Sequence, residues 1–145
     1  EQSPCDIPHV SNPIMLEADR DSADKDSGRQ MVWMRAVGGD FEMSQTINRA
    51  MLALGCDQIM MEPVLRRAGL SIATPGISYA SMDHSMWWYR DVDIRDWHLY
   101  VQDAPTAAHG RGLGIAKVYA QSGELVAVMS QEAMIRVPKE RLSDK

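Results

Sequence analysis

A chain of 145 residues, 45% of them hydrophobic, is long enough for one globular domain with its own core. Its 20 Asp and Glu outnumber its 15 Lys and Arg, a formal net charge of −5, so the positive field that supplies sequence-independent nucleic-acid affinity is missing and no nucleic-acid partner is expected. No window approaches the roughly 20 consecutive apolar residues of a membrane-spanning helix, and the start EQSPCD has neither a basic nor an apolar leader region, so no membrane insertion is expected.

The two cysteines, Cys5 and Cys56, lie far apart with no CxxC spacing, which points to neither a zinc knuckle nor a disulfide scaffold and favours a reducing cytoplasm. Residues 1–29 are polar and acidic, with Pro4, Pro8, Pro13 and the run EADRDSADKDSG, too little apolar surface to offset the entropy of ordering. They read as a linker or arm, and with a first residue other than Met they suggest a chain that starts partway through a longer protein. Residues 30–138 then form the domain, and residues 139–145 a polar tail.

Residues 29–37 (RQMVWMRAV) set Met31, Trp33 and Arg35 against Val32, Met34 and Ala36, the alternation of a strand with both faces partly covered. GGD breaks it, and Asp40 or Ser44 can cap the helix that follows. In MSQTINRAMLALG, Ile47, Met51 and Leu54 recur at i, i+4 and i+7 with Ala50 and Ala53 beside them, an apolar stripe on a long helix. Gly55 loosens it, and CDQIMMEPVLRRAG resumes a helical pattern until Gly69. Since Pro63 suits only the start of a helix, a break near Cys56 and Asp57 is expected.

Beyond the turn-rich SIATPG the pattern is all strand: residues 77–92, 96–108, 110–121 and 124–137, with Gln121-Ser122-Gly123-Glu124 as a tight hairpin between the last two. One strand, one long helix and four consecutive antiparallel strands describe an α+β hotdog, a curved sheet wrapped around a helix.

Three residues stand out in this frame. In the last strand Leu125, Ala127, Met129, Ala133, Ile135 and Val137 share one face with Gln131, so that amide points at the core and needs partners there, structural or otherwise. Asp57, at the expected helix junction beside apolar Ile59, Met60 and Met61, is either a helix cap or a desolvated acid or base. Ser81 shares strand parity with Asp83, Ser85 and Trp87, and is either an ordinary strand serine or a placed hydroxyl. His84, His98 and His109 lack metal-ligand spacing, so no metal is expected. The GRGLG run leads into a strand rather than a helix, so its glycines serve a bend or a close approach, not a dinucleotide. No GxSxG elbow occurs.

Four segments together carry a resemblance: ALGCDQIMMEPVLRRAG, SMDHSMWWYRDVDIRDWHLY, APTAAHGRGLGIAKVYAQSGELVA and MSQEAMIRV. The DHSMW string, followed about ten residues later by W-x-L-Y, then by RG and by QEA, resembles the C-terminal repeat of the acyl-CoA thioesterase II family, whose members are double hotdogs. The resemblance implies that Asp57, Ser81 and Gln131 converge on one water and orient it toward a thioester carbonyl, with Asp57 as proton acceptor and no covalent acyl-enzyme. It implies an acyl-CoA substrate, no cofactor, and a paired assembly with an N-terminal hotdog half or a second copy of this chain. Two other readings are a noncatalytic half that supplies a wall and an interface, and a hotdog lyase. The lyase needs a His paired with an acid, and His84 beside Asp83 in a regular strand faces the other way.

Overall fold

Seven antiparallel strands curl around one helix in the computed structural model, which describes residues 5–6, 28–37 and 42–137. Asp40, most of the segment read as a linker and residues 139–145 lie outside the described residues. The elements are β1 (Cys5–Asp6), β2 (Arg29–Ala36), α1 (Gln45–Arg67), β3 (Ser78–Ser81), β4 (Ser85–Trp88), β5 (His98–Ala108), β6 (Arg111–Ala120) and β7 (Leu125–Arg136). The sheet runs β1-β2-β5-β6-β7-β3, and β4 also pairs with β7. β3 and β4 therefore share one edge of the sheet. The expected 77–92 strand is split in two there, and the expected hairpin joins β6 to β7 with Gly123 at φ 88°.

The helix is continuous, in place of the expected break at Cys56 and Asp57. Its hydroxyl cap is Ser44, whose side chain accepts from the Ile47 amide. It ends in a Schellman turn: Gly69 at φ 71° donates to the Arg66 carbonyl and Leu70 to that of Leu65. An interior proline costs about 3 kcal/mol and an interior glycine about 0.5–1 kcal/mol relative to alanine. Burial of Ile59, Met60, Val64 and Leu65, at about 1.5–3 kcal/mol each, outweighs both.

The buried stripe is rotated from the one read in the sequence. Leu52, Cys56, Ile59 and Met60 pack against Val32, Met34, Tyr100, Ala116, Val118 and Met129, whereas Ile47 and Leu54 are 46% and 48% exposed. Toward its end the helix packs Val64 and Leu65 on Ala104, Ala133 and Ile135. A buried Glu62–Arg66 pair (3.1 Å) ties the helix to β2 through an Arg66 bond to the Arg29 carbonyl (2.8 Å).

Close approach of helix to sheet explains the GRGLG run. A Cβ on Gly112 would overlap Val64 Cγ1, and one on Gly114 would overlap Met60. Gly55 is in the same position on the helix side, 2.8 Å from Met34 Sδ at its would-be Cβ.

Two stability predictions follow from this packing. Gly112→Ala meets a β-branched neighbour with little χ1 freedom, so denaturant titration should show a loss of about 1–3 kcal/mol. His98 is buried, and burial holds its imidazole below the usual 6.5 despite the Asp96 carbonyl 2.9 Å from Nδ1, which favours the charged form. The unfolded chain therefore binds more protons than the folded one below pH about 6.5, and the stability tied to His98 is complete above that pH and lost as pH falls through it. Melting temperature should drop between about pH 7.5 and pH 5.5, and drop less in His98→Asn; an identical pH dependence in both proteins would refute this assignment.

Candidate active site

Gln131 sits on the core face of β7, 1% exposed, directly opposite Gly114 of β6. The missing side chain there leaves room for Met60 of the helix. From the middle of α1, Asp57 brings its carboxylate to the same point, and Oδ1 accepts from Gln131 Nε2 at 2.8 Å. Ser81 at the end of β3 donates to Asp57 Oδ1 at 3.4 Å, and its Oγ also accepts a short bond from Gln131 Nε2. The structure thus brings together all three residues singled out in the sequence. Since no second helix starts at Asp57, its reading as a cap is excluded.

The parity assigned to Ser81 is corrected by an irregularity in the edge strand. Ser81 lies opposite Ala133, but Ser85 lies opposite Ser130, so Met82, Asp83 and His84 together face only Gln131 and Glu132. The extra residue reverses the alternation. Ser81 before it faces the core side of β7; after it Met86 and Trp88 pack on the core while Trp87 is turned out, 49% exposed. The broken ladder is repaired by a side chain, as Asp83 Oδ1 accepts from the Glu132 amide at 2.9 Å, beside the Met82 amide bond to the Glu132 carbonyl at 2.8 Å.

This arrangement delivers a residue that the sequence reading set aside. His84 Nδ1 lies 2.8 Å from Gln131 Oε1, so the imidazole joins the network from the far side of the amide. Its signal in the sequence is the polar trio Asp83-His84-Ser85, which interrupts an otherwise alternating strand.

Asp57, Ser81 and His84 are exposed while Gln131 is buried, so the cluster opens to solvent at the β3–β4 edge. Cys56 is adjacent in sequence but fully buried in the core. Burial first, and the neighbouring Asp57 charge second, push its thiol far above the usual range, so it stays protonated and is no nucleophile. Among the described residues no group of three or more His, Cys, Asp or Glu side chains gathers as a metal site. What the cluster offers is a carboxylate acceptor, an amide donor and a hydroxyl around one small volume, the set that fixes a water by its hydrogen atoms and lone pairs.

Residues 2–135 match the model of the acyl-CoA thioesterase C-terminal domain family. The chain belongs to that family. Acyl-CoA thioesterase 2 of Haemophilus influenzae is 30% identical over 107 residues, which are 74% of this chain and 37% of that protein. The crystal structure of the acyl-CoA thioesterase II TesB2 of Mycobacterium marinum has a TM-score of 0.71 at 28% identity, covering 94% of this chain and 50% of the other. A protein of Alicyclobacillus acidocaldarius described as having a hot dog fold gives a TM-score of 0.67 at 18% identity, over 93% of this chain and 46% of that one. The fold of this acyl-CoA thioesterase C-terminal domain is the expected hotdog. The chain spans half or less of the length of these relatives.

Proposed function

We propose that this chain, with residues 30–138 as its hotdog domain, is the C-terminal half of an acyl-CoA thioesterase that hydrolyses acyl-CoA to free acid and coenzyme A. The observation that carries the reading is the meeting of Asp57, Ser81 and Gln131 from a helix and two strands at hydrogen-bond distance. A water at this point gives a proton to Asp57 while its oxygen attacks the thioester carbonyl. Gln131 Nε2 and the Ser81 hydroxyl, whose hydrogens go to Asp57 Oδ1 and Ser81 Oγ in the structure, each redirect one to that water and to the charge that develops. Collapse of the tetrahedral species breaks the C–S bond, and the coenzyme A thiolate leaves and takes up the proton. A cytoplasmic location fits the free buried thiol of Cys56.

The partner is a second hotdog, either an N-terminal half or a second copy of this chain, set beside the β3–β4 edge. All four residues of β3 are exposed, and Tyr79, Met82, Trp87 and Tyr89 present large apolar side chains along this edge. Exposed Ile47 and Leu54 lie on the helix face bordered by Asp57 and offer the same partner, or the acyl chain between the two, an apolar wall. The openness of the site also supports a second reading, in which this half is noncatalytic and supplies only wall and interface.

Thiol release over a series of acyl-CoA chain lengths, by this chain alone and with its partner hotdog, separates the two. Asp57→Asn keeps the shape but removes the base, so turnover should fall by about 10² to 10⁴ with folding intact. Cys56→Ala should remain active. Loss of activity in Cys56→Ala with activity kept in Asp57→Asn would replace water attack by a covalent route.

Edge pairing has its own test. The Met82 amide points to β7, so by alternation the Tyr79 amide points away from the sheet, toward the free edge. Tyr79→Pro removes that outward donor without touching the β7 ladder and should shift sedimentation from a paired to an unpaired species. Unchanged pairing in the variant would place the interface elsewhere.

A further inference from the structure

We propose that His84 is a positioning residue whose Nδ1–H holds the Gln131 amide in the one orientation that turns its Nε2 donors on Asp57 and Ser81. The inference rests on the reading of Asp57, Ser81 and Gln131 as a hydrolytic site.

A primary amide turned by 180° exchanges oxygen for nitrogen with almost no change of shape, so packing alone does not choose between its two orientations. Ser81 does not choose either, because a hydroxyl both donates and accepts. Two partners do. Asp57 Oδ1, an acceptor when ionised, demands Nε2 at 2.8 Å. Oε1 then faces His84 Nδ1 at 2.8 Å, and two acceptors do not hold that separation, so Nδ1 carries the hydrogen. Gln131 is 1% exposed, so with the ring in place His84 is the partner that its Oε1 meets.

His84 matters most at the step where Asp57 ceases to choose. Once Asp57 has taken the proton of the attacking water, its carboxyl can donate as well as accept, and its demand for Nε2 lapses. While Nδ1 keeps its hydrogen the His84 bond to Oε1 persists, so Nε2 stays turned to the Asp57–Ser81 side, where the water attacks, through the proton-bearing stage. The same bond draws electron density onto Oε1 and makes the Nε2 hydrogens stronger donors. Both the neutral Nδ1–H tautomer and the imidazolium supply it. The ring is placed by the edge irregularity, which the Asp83 bond to the Glu132 amide (2.9 Å) fastens.

The test combines a spectroscopic and a kinetic measurement on the full-length protein. Ring nitrogen NMR above the histidine titration range should show wild-type His84 as the Nδ1–H tautomer, and Gln131→Ala should return it to the Nε2–H tautomer that predominates in free histidine. In the thiol-release assay His84→Leu should lower kcat by about 10- to 100-fold with KM little changed. His84→Asn, whose Nδ2 can take the place of Nδ1, should recover to within about fivefold of wild type, and the acceptor-only His84→Asp should not recover. An Nε2–H tautomer in the wild-type protein, or a His84→Asn variant as slow as His84→Leu, overturns the assignment. Absence of turnover in the wild-type assembly would instead sink the hydrolase reading, and the tautomer measurement would still decide the His84 contact.

Discussion

Two glycines on β6 set the spacing between the helix and the sheet. At Gly112 and Gly114 a methyl group would run into Val64 and Met60, and Gly55 plays the same part from the helix side against Met34. The helix therefore settles onto the strands more closely than alanine would allow. Gly114 is also the residue opposite Gln131, so the strand position that admits Met60 is the one that flanks the amide. Asp57 lies one turn before Met60 and Met61 on the same helix. The spacing that closes the core thus also brings the Asp57 carboxylate to 2.8 Å from the amide, a distance a hydrogen bond cannot stretch by a methyl's depth and survive.

Much of this fold was legible because it is written in local patterns. The alternation of β7 marked Gln131 as core-facing, the Gln121–Glu124 turn marked a hairpin, and Gly69 marked the end of the helix, each a matter of backbone conformation or period. The expected break near Cys56 was a local argument too, and it failed for a nonlocal reason. Gly55 and Pro63 weaken a helix in isolation, but here they lie in a stretch whose side chains are almost all buried, and tertiary packing outweighs their cost. The stripe of Ile47, Met51 and Leu54 shows the opposite limit. Its spacing was right for a helix, yet the face turned to the sheet is the one carrying Leu52, Cys56 and Ile59, because that face holds the glycine that fits against Met34.

The site divides in the same way. Strand period gives the core-facing direction of Gln131, whereas a site role for Gln131, Asp57 and Ser81 alike is ambiguous on pattern and is selected by family resemblance. His84 followed from neither. Parity computed through Asp83 places His84 and Ser81 on opposite faces, and it fails because the chain holds one residue more than its partner strand between Ser81 and Ser85. Period-two arguments carry no warning of such an insertion. The warning is chemical: Asp83 has a carboxylate able to accept the Glu132 amide that the interrupted ladder strands.

The exposure of the cluster connects its chemistry to its assembly. A carboxylate in open water is well solvated, its Coulombic reach is reduced by the high dielectric, and a water beside it is one of many. In this chain Asp57, Ser81 and His84 are on the wet side and Gln131 alone is buried. The surfaces left uncovered, the β3–β4 edge and the helix face with Ile47 and Leu54, border that same cluster. A second hotdog seated there, as proposed, would exclude bulk solvent and strengthen each hydrogen bond of the network. Interface and site would then be a single surface. On that reading Tyr79 and Trp87, exposed along the β3–β4 edge, belong to the same functional unit as Asp57.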